Sequence, residues 1–173
     1  MILHEGPFVS LCRDEVIRPD GSPGMYDHVV VDDGVRVVAL DQQRCLALVE
    51  DDFHLQRRRL LHLPGGGTEG QDPRAAALRE LEEETGAVAG ELRLLGVIDP
   101  LPATTAARTH LFLATGLTSG TVNRDATEAG MSVQWRPIPE VIRAVREGVI
   151  TEAGSVAALL LAEHVLQAMP PGG

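Results

Sequence analysis

The segment 63–88, which reads LPGGGTEGQDPRAAALRELEEETGAV, restricts the fold more than any other part of the chain. Asp72 is a favourable N-cap residue, and Pro73 follows at the first helical position, where its missing N–H costs nothing. Gly86 suits the left-handed position that ends many helices. These signals predict one short helix directly after a glycine-rich turn.

Strand-like runs rich in apolar residues lie on both sides of this helix. We predict strands over residues 8–17, 28–31, 36–40, 45–49, 92–98, 109–115 and 132–135. The sequence Asp-Asp-Gly at 32–34 predicts a hairpin between the second and third of these strands. Helices are predicted over 139–147 and 152–168. This order indicates a mixed sheet flanked by helices, an α/β or α+β layer sandwich.

Length and charge limit the class of protein. The 173 residues suit one domain, and the net charge of −10 argues against a nucleic-acid groove and against binding to anionic membranes. No apolar run is long enough to span a membrane, and Cys12 and Cys45 are typical of reduced thiols, so we expect a cytoplasmic protein. An acidic protein still binds phosphates when metal ions lie between the two.

Three carboxylates are crowded onto one face of the predicted helix. Residues at i, i+3 and i+4 share a face, so Glu80, Glu83 and Glu84 project together, in the last turn, where the helix dipole disfavours negative charge. A divalent cation such as Mg²⁺ or Mn²⁺ would turn this repulsion into binding, and Arg79 is spaced to orient Glu83. The alternative is a solvated helix face without a ligand.

The segment from Gly65 to Ala87 resembles the Nudix box, Gly-x5-Glu-x7-Arg-Glu-(apolar)-x-Glu-Glu-x-Gly-(apolar). Its positions are filled by Gly65, Gln71, Arg79, Glu80, Leu81, Glu83, Glu84, Gly86 and Ala87. The resemblance implies a Nudix-type α/β/α sandwich with a mixed sheet. The whole chain, 1–173, would be a single Nudix domain, with antiparallel strands over about 1–34 and the core over 35–173.

The resemblance also implies a reaction. Nudix hydrolases cut a pyrophosphate bond in a nucleoside diphosphate linked to another moiety, using Mg²⁺ or Mn²⁺. Carried over by position, Glu80 and Glu84 are the expected metal ligands, with Glu83 as a third and a backbone carbonyl near Gly65. Glu83 and Arg79 would also take part in catalysis.

Gln71 departs from the pattern, because the family has Glu at this position. Gln accepts hydrogen bonds but is a poor metal ligand and no base at neutral pH. We expect altered metal use, with Gln71 in a supporting role and Glu69 as a substitute. A second alignment, on Gly66 with a one-residue deletion after Glu69, stays open.

Beyond the box, the layout is similar to the ADP-ribose pyrophosphatase branch of the family. That branch often carries a catalytic base or further metal ligand in the loop before a late strand, which points to Glu128; the alternative is a loop residue that only adds solubility. The residues expected to contact substrate are Arg57, Arg59, Arg108, Gly66 and Gly67, with plain surface charge as the alternative for Arg57 and Arg59. A homodimer is expected, since N-terminal strands in this branch often complete the partner's pocket.

Several positions near the box differ from that branch. The segment before the box lacks its Gln-x-x-Arg element, Arg108 is near a position where an acid is usual, and His62 stands where Glu is common. His62 has two readings, a ligand contact or a structural histidine. Two other functions stay open: a nucleoside triphosphate pyrophosphohydrolase, and a Nudix-fold binding module with weak catalysis, the latter motivated by Gln71.

Overall fold

Two three-stranded sheets form the centre of the structure, a computed structural model that describes residues 1–120 and 130–169. The first sheet has the order β4-β9-β8, with β4 at Gly34–Ala39, β8 at Glu91–Ile98 and β9 at Thr109–Thr115. The second has the order β11-β5-β6, with β5 at Cys45–Phe53, β6 at Arg58–His62 and β11 at Ser132–Pro137. Strands β4 and β9 are parallel and the other neighbours antiparallel, so the predicted mixed sheet is confirmed.

A short extension of β6 joins the two sheets. Residues 64–67 leave the second sheet and run beside β4, where the N–H groups of Val37 and Val35 donate to the carbonyls of Pro64 and Gly66, both at 2.9 Å. The glycine turn is therefore hydrogen-bonded backbone at the junction of the sheets and is not a free loop.

Within the described residues, three helices cover the two faces of this central layer. They are α1 (Pro73–Thr85), α2 (Ile138–Arg146) and α3 (Ala153–Ala168). Under α1 lies a buried cluster that includes Val35, Val37, Leu81, Leu92 and Phe112. Under α2 and α3 lies a second cluster that includes Val38, Leu48, Leu63, Leu113 and Leu159. The α/β/α arrangement agrees with the sequence prediction, and in the described ranges no helix is long and apolar enough to cross a membrane.

Smaller sheets complete the structure. An N-terminal antiparallel sheet consists of β1 (Ile2–Glu5), β2 (Ser10–Ile17) and β3 (Pro23–Val30), and a two-stranded sheet of β7 (Ala87–Val88) and β10 (Thr118–Ser119).

The predicted hairpin around residues 32–34 is wrong. Strand β3 pairs with β2, whereas β4 pairs in parallel with β9, about 75 residues further along the chain. The reason is burial: Val35, Val37, Val38 and Ala39 are completely buried, so β4 needs helices on both of its faces, which a hairpin with the exposed β3 does not provide.

Both ends of α1 confirm the sequence signals. The carboxylate of Asp72 accepts hydrogen bonds from the N–H groups of Arg74 and Ala75. Gly86 has φ = 72° and donates its N–H to the carbonyl of Glu82. Because both ends are fixed locally, the rotation of the helix about its axis, and therefore the direction of its carboxylates, is well defined.

The start of α3 anchors the strand that leads into the glycine turn. The carboxylate of Glu152 accepts hydrogen bonds from the N–H groups of Gly154 and Ser155 and from Ser155 Oγ, and it pairs with Arg36 of β4 at 3.0 Å. Ser155 Oγ in turn accepts the N–H of Leu63 at 2.9 Å. One carboxylate therefore links α3 to β4 and to the end of β6.

Replacing Glu152 with Gln is expected to destabilise the protein at pH 7. Burial alone would raise the pKa of Glu152, but Arg36 and the hydrogen bonds from Ser155 and Gly154 lower it from 4.5 to about 2. A shift of this size corresponds to about 3 kcal/mol of folding free energy. Because the folded-state pKa is depressed, this stability is present above pH 4.5 and is lost as the pH falls towards 2.

Urea unfolding between pH 7 and pH 2 checks this expectation. The difference in free energy of unfolding between Glu152→Gln and the unsubstituted protein should become smaller below pH 4.5. The control is Glu147→Gln, because Glu147 is exposed and lies 4.0 Å from Arg143, an ion pair worth less than about 1 kcal/mol. A difference that stays constant with pH would contradict the assignment.

Candidate active site

Two carboxylates are buried where α1 faces the glycine turn. Glu80 and Glu84, one helical turn apart, retain only 6% and 3% of their exposed surface. Charged groups so poorly solvated need strong compensation. The N–H of Gly65 donates to Glu84 Oε2 at 2.9 Å, and Arg79 Nη2 lies 3.0 Å from Glu80 Oε1. Glu80 and Glu84 therefore lie in one compact arrangement against the turn, and their role as metal ligands stays a prediction.

The close approach of the turn to β4 and to α1 explains two of the glycines. Gly65 has φ = 142°, a conformation that side chains rarely adopt, and a Cβ there would overlap the carbonyl of Val35. A Cβ on Gly66 would lie 2.5 Å from Glu80 Oε1. Gly67, by contrast, has open space around it, so the turn requires glycine only at its first two positions.

Arg79 holds the helix and the turn together. Its Nη1 donates to Glu83 Oε2 at 2.9 Å, and its Nη2 donates to the carbonyl of Gly67 at 3.2 Å. Burial alone would lower the pKa of Arg79, but the Glu80 carboxylate and the hydrogen bond to Glu83 raise it above its ordinary value. The predicted pairing with Glu83 is present, and the contact with the turn adds to it.

Gln71 and Glu69 lie at the edge of this arrangement. Both are exposed, and the N–H of Gln71 donates to the carbonyl of Thr68 in a tight turn. Glu69 has the left-handed φ of 52°, and its Oε1 lies 3.8 Å from Arg79 Nη2. Glu69 is thus the acid of the turn that faces Arg79. It lies two residues before Gln71, the position at which the box pattern has Glu.

The other candidate residues do not gather at this point. Arg57 lies in the turn between β5 and β6 with φ = 51°, and Arg59 contacts Glu50, Asp52 and the carbonyl of Gly130. Arg108 is mostly exposed and lies 3.9 Å from Asp33. Glu128 lies outside the described residues. A contact of these arginines with substrate stays a prediction.

Asp33 is a supporting residue that the sequence analysis missed. Its backbone carbonyl accepts the N–H of Thr68, and its carboxylate accepts the N–H of Arg108 and the ring N–H of His110, at 2.8 to 2.9 Å. The hydrogen bond from Arg108 is the main reason why the pKa of Asp33 is lowered. Asp33 thus connects the glycine turn to the start of β9. Its sequence context, Asp-Asp-Gly, indicated only a turn.

The residues fit a hard divalent cation. Carboxylate and backbone carbonyl oxygens are the donors that Mg²⁺ prefers, and the missing Cβ of Gly66 lets the Glu80 carboxylate lie directly against the turn. Within residues 1–120 and 130–169, no three Asp, Glu, His or Cys side chains are already grouped around one point as a metal site. Glu83, the expected third ligand, is bonded to Arg79 instead.

An α/β/α sandwich with two buried glutamates on a helix, packed against a glycine turn, is the arrangement that the sequence resemblance implies. The NUDIX domain model matches residues 31–159, well over half of the chain. The chain belongs to the Nudix family, and the sequence resemblance is confirmed.

Individual relatives agree with this membership. An ADP-ribose pyrophosphatase of Mycobacterium tuberculosis is 34% identical over 168 residues, which cover 94% of this chain and 80% of that protein. A methanol dehydrogenase activator of Bacillus methanolicus is 32% identical over 116 residues, which cover 66% of this chain and 63% of that protein. A solved structure described as an ADP compounds hydrolase has a TM-score of 0.84 at 18% identity, covering 99% of this chain and 96% of that one, and so shares the fold.

Proposed function

We propose that this chain is a divalent-metal-dependent hydrolase that cleaves the pyrophosphate bond of ADP-ribose or a similar nucleoside diphosphate derivative. The observation that carries the proposal is the pair Glu80 and Glu84, buried against Gly65 and Gly66. The 34% identical relative named as an ADP-ribose pyrophosphatase supports the substrate class.

The chain's own residues have distinct roles in this proposal. Glu80 and Glu84 would hold Mg²⁺ or Mn²⁺, together with a backbone oxygen of the turn. The cation, when bound, would neutralise phosphate charge and make a bound water more acidic. Arg79 keeps Glu83 and the carbonyl of Gly67 in fixed positions. Gly65 directs its N–H at Glu84 and so orients that carboxylate.

A substrate panel tests the proposal. Purified protein with Mg²⁺ or Mn²⁺ should release AMP and a sugar phosphate from ADP-ribose or from a nucleotide sugar such as ADP-glucose. Pyrophosphate release from a nucleoside triphosphate, without cleavage of ADP-ribose, would instead support the pool-hydrolase alternative. Binding of ADP-ribose without turnover would support the binding module.

Replacing Gln71 with Glu is expected to raise the metal-dependent rate several-fold. The substitution restores the box carboxylate at an exposed position, so it should cost little stability. Manganese titration followed by electron paramagnetic resonance, alongside the rate, measures whether metal binding tightens. An unchanged rate and affinity would mean that Glu69, or Glu128 outside the described residues, already supplies the missing charge.

We also propose a homodimer that uses the N-terminal sheet. Large apolar side chains are exposed there, among them Ile2, Phe8, Ile17, Met25 and Val30. Such a surface is typical of an interaction site. Light scattering after size exclusion should give twice the chain mass of 18.5 kDa. Ile17→Arg should shift the protein towards the monomer, and Leu55→Arg, at an exposed apolar residue elsewhere, should not.

A monomer at micromolar concentration would contradict the dimer. A cytoplasmic location and the absence of a nucleic-acid partner stay predictions, which follow from the free cysteines and from the net charge of −10.

A further inference from the structure

A cavity of about 660 Å³ opens beside the glycine turn. Its walls are residues 6–10, which join β1 to β2, the end of β3 with Asp32, and Gly67 and Glu69 of the turn. The volume lies within the range of about 300 to 1,000 Å³ that is typical of small-molecule sites. The cavity is therefore large enough to hold one half of a molecule such as ADP-ribose.

The cavity and the buried acids of α1 are connected through Arg79. Arg79 Nη2 lies 3.0 Å from Glu80 Oε1 and 3.8 Å from Oε1 of Glu69, which lines the cavity. The same nitrogen donates to the carbonyl of Gly67, which also lines the cavity. Gly67 and Glu69 are both exposed, so this side of the cavity is open to solvent. A group bonded to a diphosphate at Glu80 is therefore within reach of the cavity.

The lining of the cavity suits an uncharged group with a flat apolar face. Its apolar surface comes from Phe8, Val9, Val30 and Val31, and the side chain of Phe8 is largely exposed. Among the described residues that line it there is no Arg, Lys or His, and so no cation to hold a phosphate. An exposed aromatic ring can stack on a nucleobase. The nucleoside half of ADP-ribose fits this lining better than the terminal sugar, which has no flat apolar face.

Asp32 brings an unpaired carboxylate to this cavity. Gly34 and Gly67 form an antiparallel bridge, so Asp32, two residues before Gly34, lies alongside Glu69. The neighbouring Asp33 is occupied by hydrogen bonds to the start of β9. Asp32 is exposed, lines the cavity, and makes no hydrogen bond or ion pair with the part of the chain that the structure describes. Because a carboxylate only accepts, it is available to a ligand that donates.

We propose that this cavity binds the nucleoside half of the substrate and that the Asp32 carboxylate accepts hydrogen bonds from its ribose hydroxyls. This inference rests on the proposed function, in which a cation at Glu80 and Glu84 holds the diphosphate. A carboxylate that accepts from a hydroxyl repels a phosphate at the same place, and Glu69 adds a second negative charge to the cavity. The chain therefore selects nucleosides with free ribose hydroxyls and rejects those that carry a 2′-phosphate.

The preference for ADP-ribose over its adenosine 2′-phosphate derivative tests this role. We expect kcat/KM of the unsubstituted protein to be about a hundredfold higher for ADP-ribose, because the 2′-phosphate would face like charges in the cavity. Asp32→Asn removes one of these charges and should reduce the preference to about tenfold, while raising KM for ADP-ribose about fivefold. The control Glu91→Gln removes an exposed charge at the opposite end of the sheet from Gly34 and should change neither quantity.

Inhibition by the two products shows which half of the substrate occupies the cavity. AMP contains the nucleoside, and ribose 5-phosphate contains the other sugar. Asp32→Asn should raise the inhibition constant of AMP about fivefold and leave that of ribose 5-phosphate unchanged. An increase for ribose 5-phosphate alone, or for both products equally, would overturn the inference. Calorimetric titration with AMP and with adenosine 2′,5′-bisphosphate measures the same preference without turnover.

The possible outcomes separate this inference from the proposed function. An unsubstituted protein that cleaves ADP-ribose and its 2′-phosphate derivative with equal kcat/KM overturns this inference alone. A folded Asp32→Asn protein with unaltered preference and KM does the same. If Asp32→Asn does not fold, the preference of the unsubstituted protein decides by itself. An unsubstituted protein that neither binds nor cleaves ADP-ribose or nucleotide sugars overturns the proposed function, and this inference with it.

Discussion

Replacing Glu84 with Gln is expected to lower the metal-dependent cleavage of ADP-ribose by about a hundredfold or more, since even indirect partners of metal ligands contribute 10- to 100-fold. The side chain is nearly isosteric, and its amide oxygen still accepts the N–H of Gly65, so the turn should keep its place. The substitution removes one negative charge from the buried pair. Release of AMP at saturating Mg²⁺ measures the effect.

The matched control for Glu84→Gln is Glu82→Gln. Glu82 is on the same helical turn but exposed, so its loss changes the net charge equally without changing the buried pair. We expect the rate of ADP-ribose cleavage by Glu82→Gln to stay within about twofold of that of the unsubstituted protein, because screened surface charges contribute little. Equal losses in both variants would indicate a general charge effect, and no loss in Glu84→Gln would contradict the assigned metal site.

Replacing Gly65 with Ala is expected to destabilise the fold by about 3 kcal/mol, through a strained φ and an overlap with backbone. The Cβ would meet the carbonyl of Val35, which belongs to a buried strand and cannot move aside easily. Any movement that relieves this overlap would pull the turn away from Glu84, so activity should fall as well. Urea unfolding measures the stability.

Gly67→Ala provides the comparison within the same turn. Its Cβ would have no neighbour within 4 Å, and its φ lies in the ordinary range, so the cost should be below about 1 kcal/mol. Similar losses of unfolding free energy in Gly65→Ala and Gly67→Ala would mean that general stiffening of the turn, and not the fit at Gly65, controls stability.

The parts of the fold that depend on local chemistry could be predicted from the sequence. The start and end of α1 follow from Asp72, Pro73 and Gly86, whose effects reach only a few residues. The partner of β4 could not be predicted, because its parallel pairing with β9 joins residues far apart in sequence. The local turn signal at 32–34 indicated a hairpin, and the burial of Val35 and Val37 on a central strand overrode it.

The candidate active site also combines features that follow from local sequence with contacts between residues distant in sequence. The common face of Glu80 and Glu84 follows from helical periodicity, and the pairing of Arg79 with Glu83 from their i, i+4 spacing. The contact of Arg79 with the carbonyl of Gly67, and the link from Asp33 to Thr68, depend on how the turn meets the sheet. No periodicity in one segment reveals contacts of that kind.

The pairing of residues 64–67 with β4 has a consequence for how substrate enters. A turn bonded to β4 through the amides of Val35 and Val37 cannot swing open without breaking these hydrogen bonds. Its opening is therefore tied to cooperative unfolding of the core, not to local fluctuation. The surface proposed to bind the metal is thus pre-organised, and we expect the rearrangements that admit and release substrate to take place in segments other than this turn.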